Sequence, residues 1–270
     1  MDPVRPEFVP DPALSREEME ALQRDIAAAA TFADDFDFDV AAIHYDDAGQ
    51  QTLAAVEDDD AGDRPLVAGV DQAFVGDLAV SAIVLLRGDE VVERVHAAVE
   101  TEVPYIPGLL SFREGGAILA AFERLDRTPD LALVDGSGRI HFREAGLATH
   151  VGVVLDVPTV GVAKNLLCGT PRESLDRKLP VGSKIGIVSD DSVETAAPGT
   201  LIGHAVQTRQ YDSGNRHVNP LYVSPGHRIS AETAADIVLA CGGGYKLPEP
   251  TRLADRYADE VKVDVRTNGE

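Results

Sequence analysis

The run LVAGVDQAF at 66–74 reads as a β-strand, and two more follow at once, LAVSAIVLL at 78–86 and VVERVHAAV at 91–99, separated by short Gly and Asp turns. Apolar, β-branched runs bounded by Gly and Asp are the pattern of strands joined by tight turns. An antiparallel meander is expected here. Beyond it the pattern alternates: a helix near 112–126, a strand at 130–135, a helix near 144–155 and a strand at 158–162. That order is produced by parallel strands with helical crossovers. Further strands are expected at 184–188, 200–208 and 221–223, then helices near 230–241 and 250–260. The fold class is α/β, with a mixed central sheet in which the meander is followed by parallel strands, flanked by helices. No internal repeat is visible.

Upstream of Leu66, Ser15-Arg-Glu-Glu18 reads as a capping box ahead of the periodic apolar set Met19, Leu22 and Ile26, which predicts a helix over about 15–30. From Asp34 to Asp63, Asp, Ala and Gly dominate, including Asp58-Asp59-Asp60, and apolar periodicity fades. Such a stretch reads as a solvated acidic insertion or linker. The chain thus divides into an N-terminal helical segment (1–33), an acidic insertion (34–65), a main domain (66–262) and a C-terminal tail (263–270).

A length of 270 residues with 44% apolar content is enough for a sizeable core. No leader pattern and no apolar run of membrane-spanning length is present, so a cytoplasmic location without membrane contact is expected. The two cysteines, Cys168 and Cys241, lack metal-site spacing and suggest no disulfide framework. Net charge is the unusual property: 46 acidic against 24 basic residues, with lysine at five positions only. Acidity on this scale keeps a protein soluble but repels itself unless salt screens it, which points to a halophilic cytoplasm. It also argues against a nucleic-acid partner held by general charge, since phosphate-neutralising surfaces are basic. Binding would instead have to rest on cations, stacking and base contacts.

Several residues could carry chemistry. Asp71 closes Leu-Val-Ala-Gly-Val and Asp135 closes Leu-Ala-Leu-Val ahead of Gly136-Ser137-Gly138. Strand ends in open α/β sheets are favoured ligand sites. Two carboxylates there could share hard cations, and two ions about 3.5–4 Å apart stabilise both attacking and leaving oxygens in phosphodiester cleavage. Each Asp could equally cap a turn beside Gly. Ser111-Phe-Arg-Glu114 is itself a capping box, which would give Glu114 a structural task. His227, in Ser-Pro-Gly-His-Arg, could take a proton from an attacking water or be an ordinary loop histidine. Tyr105-Ile106-Pro107, stiffened by Pro104, could act as a wedge between bases or be a plain Pro-rich loop. Lys164 could contact phosphate or be solvated. Gly136-Ser-Gly-Arg-Ile-His lacks the third glycine of a dinucleotide fingerprint.

In order, GVDQAF (69–74), VPYIPGLLSFRE (103–114), PDLALVDGSGRIH (129–141), GLATHVGVVLDVPTVGVAKNLLCG (146–169), YVSPGHRIS (222–230) and GYKLPEPTRLADR (244–256) resemble endonuclease V, from about Val67 to Tyr257. Six pieces in one order make coincidence implausible. The resemblance implies a ribonuclease-H-like fold and a repair endonuclease that recognises deoxyinosine and nicks the second phosphodiester on its 3′ side. It implies an acidic metal site of Asp71, Glu114 and Asp135 holding Mg2+, with Mn2+ as a substitute, His227 assisting the water and Lys164 near the cleaved phosphate. Tyr105, Ile106 and Pro107 would separate strands, and a flipped hypoxanthine would enter beside Gly138, Gly161 and Leu167, with His141 close by. A base that pairs poorly costs less to extrude. The expected partner is deoxyinosine-containing DNA, acted on by a monomer. The alternatives are a related nuclease for inosine-containing RNA or branched DNA, and a non-catalytic binding module. Local departures are Ser137 where His or Gln is usual, Phe142 for Pro and Phe74 for Tyr.

Overall fold

The computed structural model describes residues 1–43, 45, 64–101, 103–212 and 216–268. Strands β1 (Leu66–Val75), β2 (Leu78–Arg87) and β3 (Glu90–Glu100) form the expected antiparallel meander. Helix α2 (Leu110–Phe122) leads to β4 (Leu131–Asp135), parallel to β1, and α3 (Leu147–Leu155) leads to β5 (Thr159–Ala163), parallel to β4. Strands β6 (Thr170–Pro171), β7 (Lys184–Val188), β8 (Leu201–Val206) and β9 (Leu221–His227) then add antiparallel. Among the described residues they make one sheet in the order β3-β2-β1-β4-β5-β9-β8-β7-β6. Helices α4 (Ala231–Ala240) and α5 (Glu249–Asn268) complete the mixed α/β architecture. Neither β6 nor the 3-10 turns at Pro6–Phe8 and Val40–Ala42 is foreshadowed in the sequence, because each is too short for a periodicity to register.

The sheet is covered on both faces, which explains why its central strands are apolar at nearly every position. Leu66, Ala68 and Val70 of β1 pack with Ile118 and Phe122 of α2 and Val151 and Val154 of α3. Val67, Leu131, Leu133 and Val160 pack on the opposite face with Ile237 and Val238 of α4 and Ala254 of α5. Each fully buried Leu or Ile stabilises by roughly 1.5–3 kcal/mol. These two layers are the reserve against which a cluster of repelling carboxylates can be held.

Helix α1 (Arg16–Ala29) begins on the expected capping box: Ser15 Oγ accepts from Glu18 N, and the Glu18 carboxylate accepts from Ser15 N. Met19 and Ile26 are buried, and so is Gln23, which apolar periodicity does not anticipate. Within 34–43 and 45 the aspartates are exposed, as the solvated reading expects, but the segment is anchored to the fold. Asp34 accepts hydrogen bonds from Ser230 N and Thr233 Oγ1 at the start of α4, Asp35 accepts from Arg228, and Ile43 and Tyr45 are buried in the core. Here carboxylates satisfy a helix N-terminus, and the scattered apolar residues pack into the core on the α4 and α5 face of the sheet. Asp58-Asp59-Asp60 lies outside the described residues. At the other end, α5 runs through 263 to Asn268, so no break sets the expected tail apart.

Candidate active site

Strand register builds the site. β1 and β4 pair Val67 with Leu131 through Val70 with Val134, so the next residue on each, Asp71 and Asp135, stand side by side on one face. Asp71 lies within β1, which continues to Val75, and not at its end as expected; β4 does end at Asp135. Both share the face that α5 covers. A Cβ on Gly69 would sit 1.9 Å from the Pro250 carbonyl oxygen, so only glycine lets the first turn of α5 rest on the β1 backbone. Ala254 and Ala258 then seat the helix, Ala258 against Ala73 and Ala82, and bring Asp255 over the strand pair. Carboxylate oxygens of Asp71, Asp135 and Asp255 lie within 4.8 Å of one another.

Lys164 follows the end of β5 and donates to Asp135 Oδ2 at 2.9 Å, with Asp255 Oδ1 at 3.8 Å. Burial, then the charge of Asp135 and a hydrogen bond to it, push the Asp71 pKa up. Burial raises Glu114 to about 7, with Arg113 opposing and Asp135 adding to the rise. Burial alone would lower Lys164, but Asp135, Asp71 and Asp255 outweigh it and raise the ammonium pKa. Crowded like charges of this kind are costly unless a cation joins them. Convergent carboxylate oxygens are hard donors, the ligand set suited to Mg2+, Mn2+ or Ca2+.

Glu114 reaches the mouth of the site from α2 on the other face. The capping box read from the sequence is not made. Helix α2 starts at Leu110 with Leu109 as its N-cap, so Ser111 lies inside the first turn and Glu114 is free to face Asp135. It is not part of the tight triad. Tyr105, Pro107, His141 and Leu167 line a pocket together with Glu114 and Asp135. Tyr105 is 67% exposed. Ile106 instead packs inward against Val103, Leu109 and Phe112.

Two expected glycines stand behind the pocket wall, and His227 lies elsewhere. Gly138 and Gly161 stand directly behind the pocket-lining Gly136 and Ser137: a Cβ on Gly161 would meet Gly138 N at 2.3 Å and Gly136 O at 2.7 Å, and one on Gly138 would meet Pro225 O at 2.3 Å. They let the 136–146 loop lie flat on the sheet. His227 does not reach the carboxylates. β9 runs antiparallel to β5, so His227 pairs with Thr159 at the start of β5, whereas Asp135 pairs with Val162 near its end. Its Nδ1 accepts from Thr31 N and its Nε2 bonds to Asp156 Oδ1, both at 3.1 Å. Burial outweighs Asp156 and lowers its pKa, which keeps the imidazole neutral; it is the strand pairing, with both ring nitrogens engaged by Thr31 and Asp156, that sets it apart from the carboxylates. Asp255 is the residue missed. It lies inside the piece GYKLPEPTRLADR (244–256) that resembles the family, but its spacing does not set it apart from the other acids of α5.

The sequence model of Endonuclease V matches residues 50–256. The chain belongs to the Endonuclease V family. An Endonuclease V from Haloarcula marismortui is 69% identical over 266 residues, covering 97% of this chain and 98% of that one. One from Natronomonas pharaonis is 58% identical over 263 residues, with 97% and 98% covered. These halophile relatives match the acidic composition. Among solved structures, Endonuclease V from Streptomyces avermitilis superposes with a TM-score of 0.73 at 30% identity, covering 97% of this chain and 98% of that one. The Bacillus subtilis structure gives 0.76 at 26%, with 99% and 100% covered. The fold is therefore ribonuclease-H-like and the protein is an endonuclease, a hydrolase of phosphodiester bonds. Asp71, Asp135, Lys164 and Asp255 all fall within the Endonuclease V match. Among the described residues, no helix is long and apolar enough to cross a membrane.

Proposed function

We propose that this chain is a divalent-metal-dependent DNA repair endonuclease that takes deoxyinosine into the pocket beside Asp135 and hydrolyses the second phosphodiester on its 3′ side. One observation carries this reading: the triad of Asp71, Asp135 and Asp255 adjoins a pocket whose outer wall is the exposed Tyr105 on a proline-stiffened segment. Asp71, Asp135 and Asp255 would hold magnesium, or manganese in its stead. A divalent ion bound there supplies positive charge for the phosphoryl oxygens and lowers the pKa of an attacking water.

The chain's own groups do the rest. Lys164 sits where its ammonium can turn from Asp135 to a phosphate oxygen once cationic charge satisfies the carboxylates. Glu114 would add a fourth carboxylate from the α2 side; burial favours its protonated form, and it would ionise where a divalent charge is bound beside it. Tyr105 and Pro107 fill the gap left in the stack when the base is extruded. Water adds to phosphorus, the bond to the 3′ oxygen breaks, and the nick carries a 3′-hydroxyl and a 5′-phosphate. The enzyme acts as a cytoplasmic monomer. The test is purified protein in concentrated potassium chloride, with and without magnesium, on matched oligonucleotides containing or lacking deoxyinosine. Magnesium-dependent nicking of the inosine strand alone is expected. Cutting without regard to inosine, or none with either metal, would overturn the proposal.

A further inference from the structure

Helix α1 lies ahead of the residues the family match covers, yet it is wired into the pocket. Its Gln23 is completely buried on the helix face that also buries Met19 and Ile26, where a polar side chain is costly unless it is fully hydrogen-bonded. Gln23 Nε2 donates to the Gly108 carbonyl at 2.8 Å, and Gln23 Oε1 accepts from Arg143 Nε at 2.8 Å. The Arg143 backbone N–H donates to His141 Nδ1 at 3.2 Å, which leaves His141 Nε2 as the donor to the same Gly108 carbonyl at 3.0 Å. Four hydrogen bonds thus close a ring, Gln23 to Gly108 to His141 to Arg143 and back. Polarity is consistent at every step. The ring fixes the amide orientation of Gln23 and the tautomer of His141 together.

Two members of this ring, Gly108 and His141, line the pocket, and Gly108 is the left-handed turn, φ +84°, that ends the Tyr105–Pro107 segment. The carbonyl it presents to the ring is one residue from Pro107. A buried polar network that is fully satisfied specifies one arrangement at little net gain in stability, which is what a recognition loop needs. We infer that Gln23 is a positioning residue for base recognition: by holding Gly108 against His141 and Arg143 it sets where the Tyr105–Pro107 segment stands over the pocket. It touches no reacting atom. The inference rests on the deoxyinosine reading above.

The test compares Gln23→Leu, which keeps the packing and removes the ring, with Ile26→Ala, which loosens the same helix and leaves the ring intact. Both are assayed in high salt with magnesium on inosine-containing and plain duplexes. For Gln23→Leu, KM for the inosine duplex should rise about tenfold with kcat within about threefold, and selectivity for inosine over adenine should fall by a similar factor. Ile26→Ala should lose melting temperature with selectivity intact. Should Gln23→Leu fail to fold, Gln23→Glu replaces it: that variant still accepts from Arg143 but opposes the Gly108 carbonyl, and the same loss of selectivity is expected. Selectivity unchanged in the folded Gln23 variant, or reduced equally by Ile26→Ala, overturns the inference. If the unsubstituted protein itself ignores inosine, the functional reading fails first and takes the inference with it.

Discussion

A buried carboxylate crowded by two half-exposed ones, as Asp71 is by Asp135 and Asp255, is worth more to function than to stability, and its removal separates the two. Asp71→Asn or Asp255→Asn should lower metal-dependent cutting by at least about a thousandfold, since one ligand of the triad is gone. Above about pH 8, where Asp71 is ionised, the same change relieves repulsion, so without divalent ions the Asp71→Asn protein should melt roughly 2–4 °C higher there, a gain of about 1 kcal/mol. Retention of more than a tenth of the activity by either variant would remove that residue from the site. The pH dependence follows from the same crowding. Burial and Asp135 raise Asp71, and burial raises Glu114 from 4.5 to about 7. A folded-state pKa above the unfolded one favours the protonated native state. That stability is complete below the unfolded value and is lost as pH climbs through the folded one. Melting temperature measured in chelator should therefore decline from about pH 5 to about pH 8, and saturating magnesium should flatten the decline. Nicking should rise over the same interval, because cation binding must displace protons. A metal-free protein whose stability increases towards pH 8 would contradict this assignment.

At the scale of elements, much of the architecture was legible because strands and helices here are long and strongly patterned, from the meander of β1, β2 and β3 to the crossovers around β4 and β5. What escaped was set by tertiary registration. Asp71 and Asp135 were recognisable from the strands that carry them, but their contact comes from a parallel register that no local pattern states. Glu114 could be read locally as a cap, because Ser111 stands three residues before it, and only the family resemblance pointed to the metal site; the helix starts earlier, at Leu110, and the cap is not made. His227 looked poised in a Pro-Gly loop, yet the antiparallel course of β9 carries it to the wrong end of the sheet. Asp255 could not be told from the other acids of α5, since its place depends on how Gly69 admits the helix. That dependence makes a test. Gly69→Ala forces its new methyl into the Pro250 carbonyl and should cost about 1–3 kcal/mol while displacing Asp255, so activity should fall more steeply than stability. Gly116→Ala, exposed in the middle of α2 with nothing within 4 Å of its Cβ, should instead stabilise by about 0.5–1 kcal/mol and leave activity alone. Denaturant melts and initial rates on both variants decide it; equal behaviour of the two would mean that close approach at Gly69 is not what seats α5.

The whole molecule carries a net charge of −22 and must meet a polyanion. Its few lysines are not spread as a phosphate-binding surface; Lys164 is engaged at the carboxylates, and Lys184 is paired with Asp236. On the function proposed above, recognition would rest on cations at the triad, on the Tyr105–Pro107 wedge and on the pocket, none of which depends on releasing counterions from the duplex. A basic protein that neutralises six phosphates loses about a thousandfold in affinity for a fourfold increase in salt. Here raising salt instead screens the repulsion of protein from DNA and of the protein from itself, with a screening length near 3 Å at about 1 M. KM for an inosine duplex should accordingly change by less than about tenfold between about 0.5 and about 2 M potassium chloride, while the melting temperature climbs across that range. Both arms matter: a rising melting temperature alone would reflect self-repulsion only. A steep salt-driven loss of binding would show that phosphate charge, and not the site built on Asp71 and Tyr105, holds the substrate.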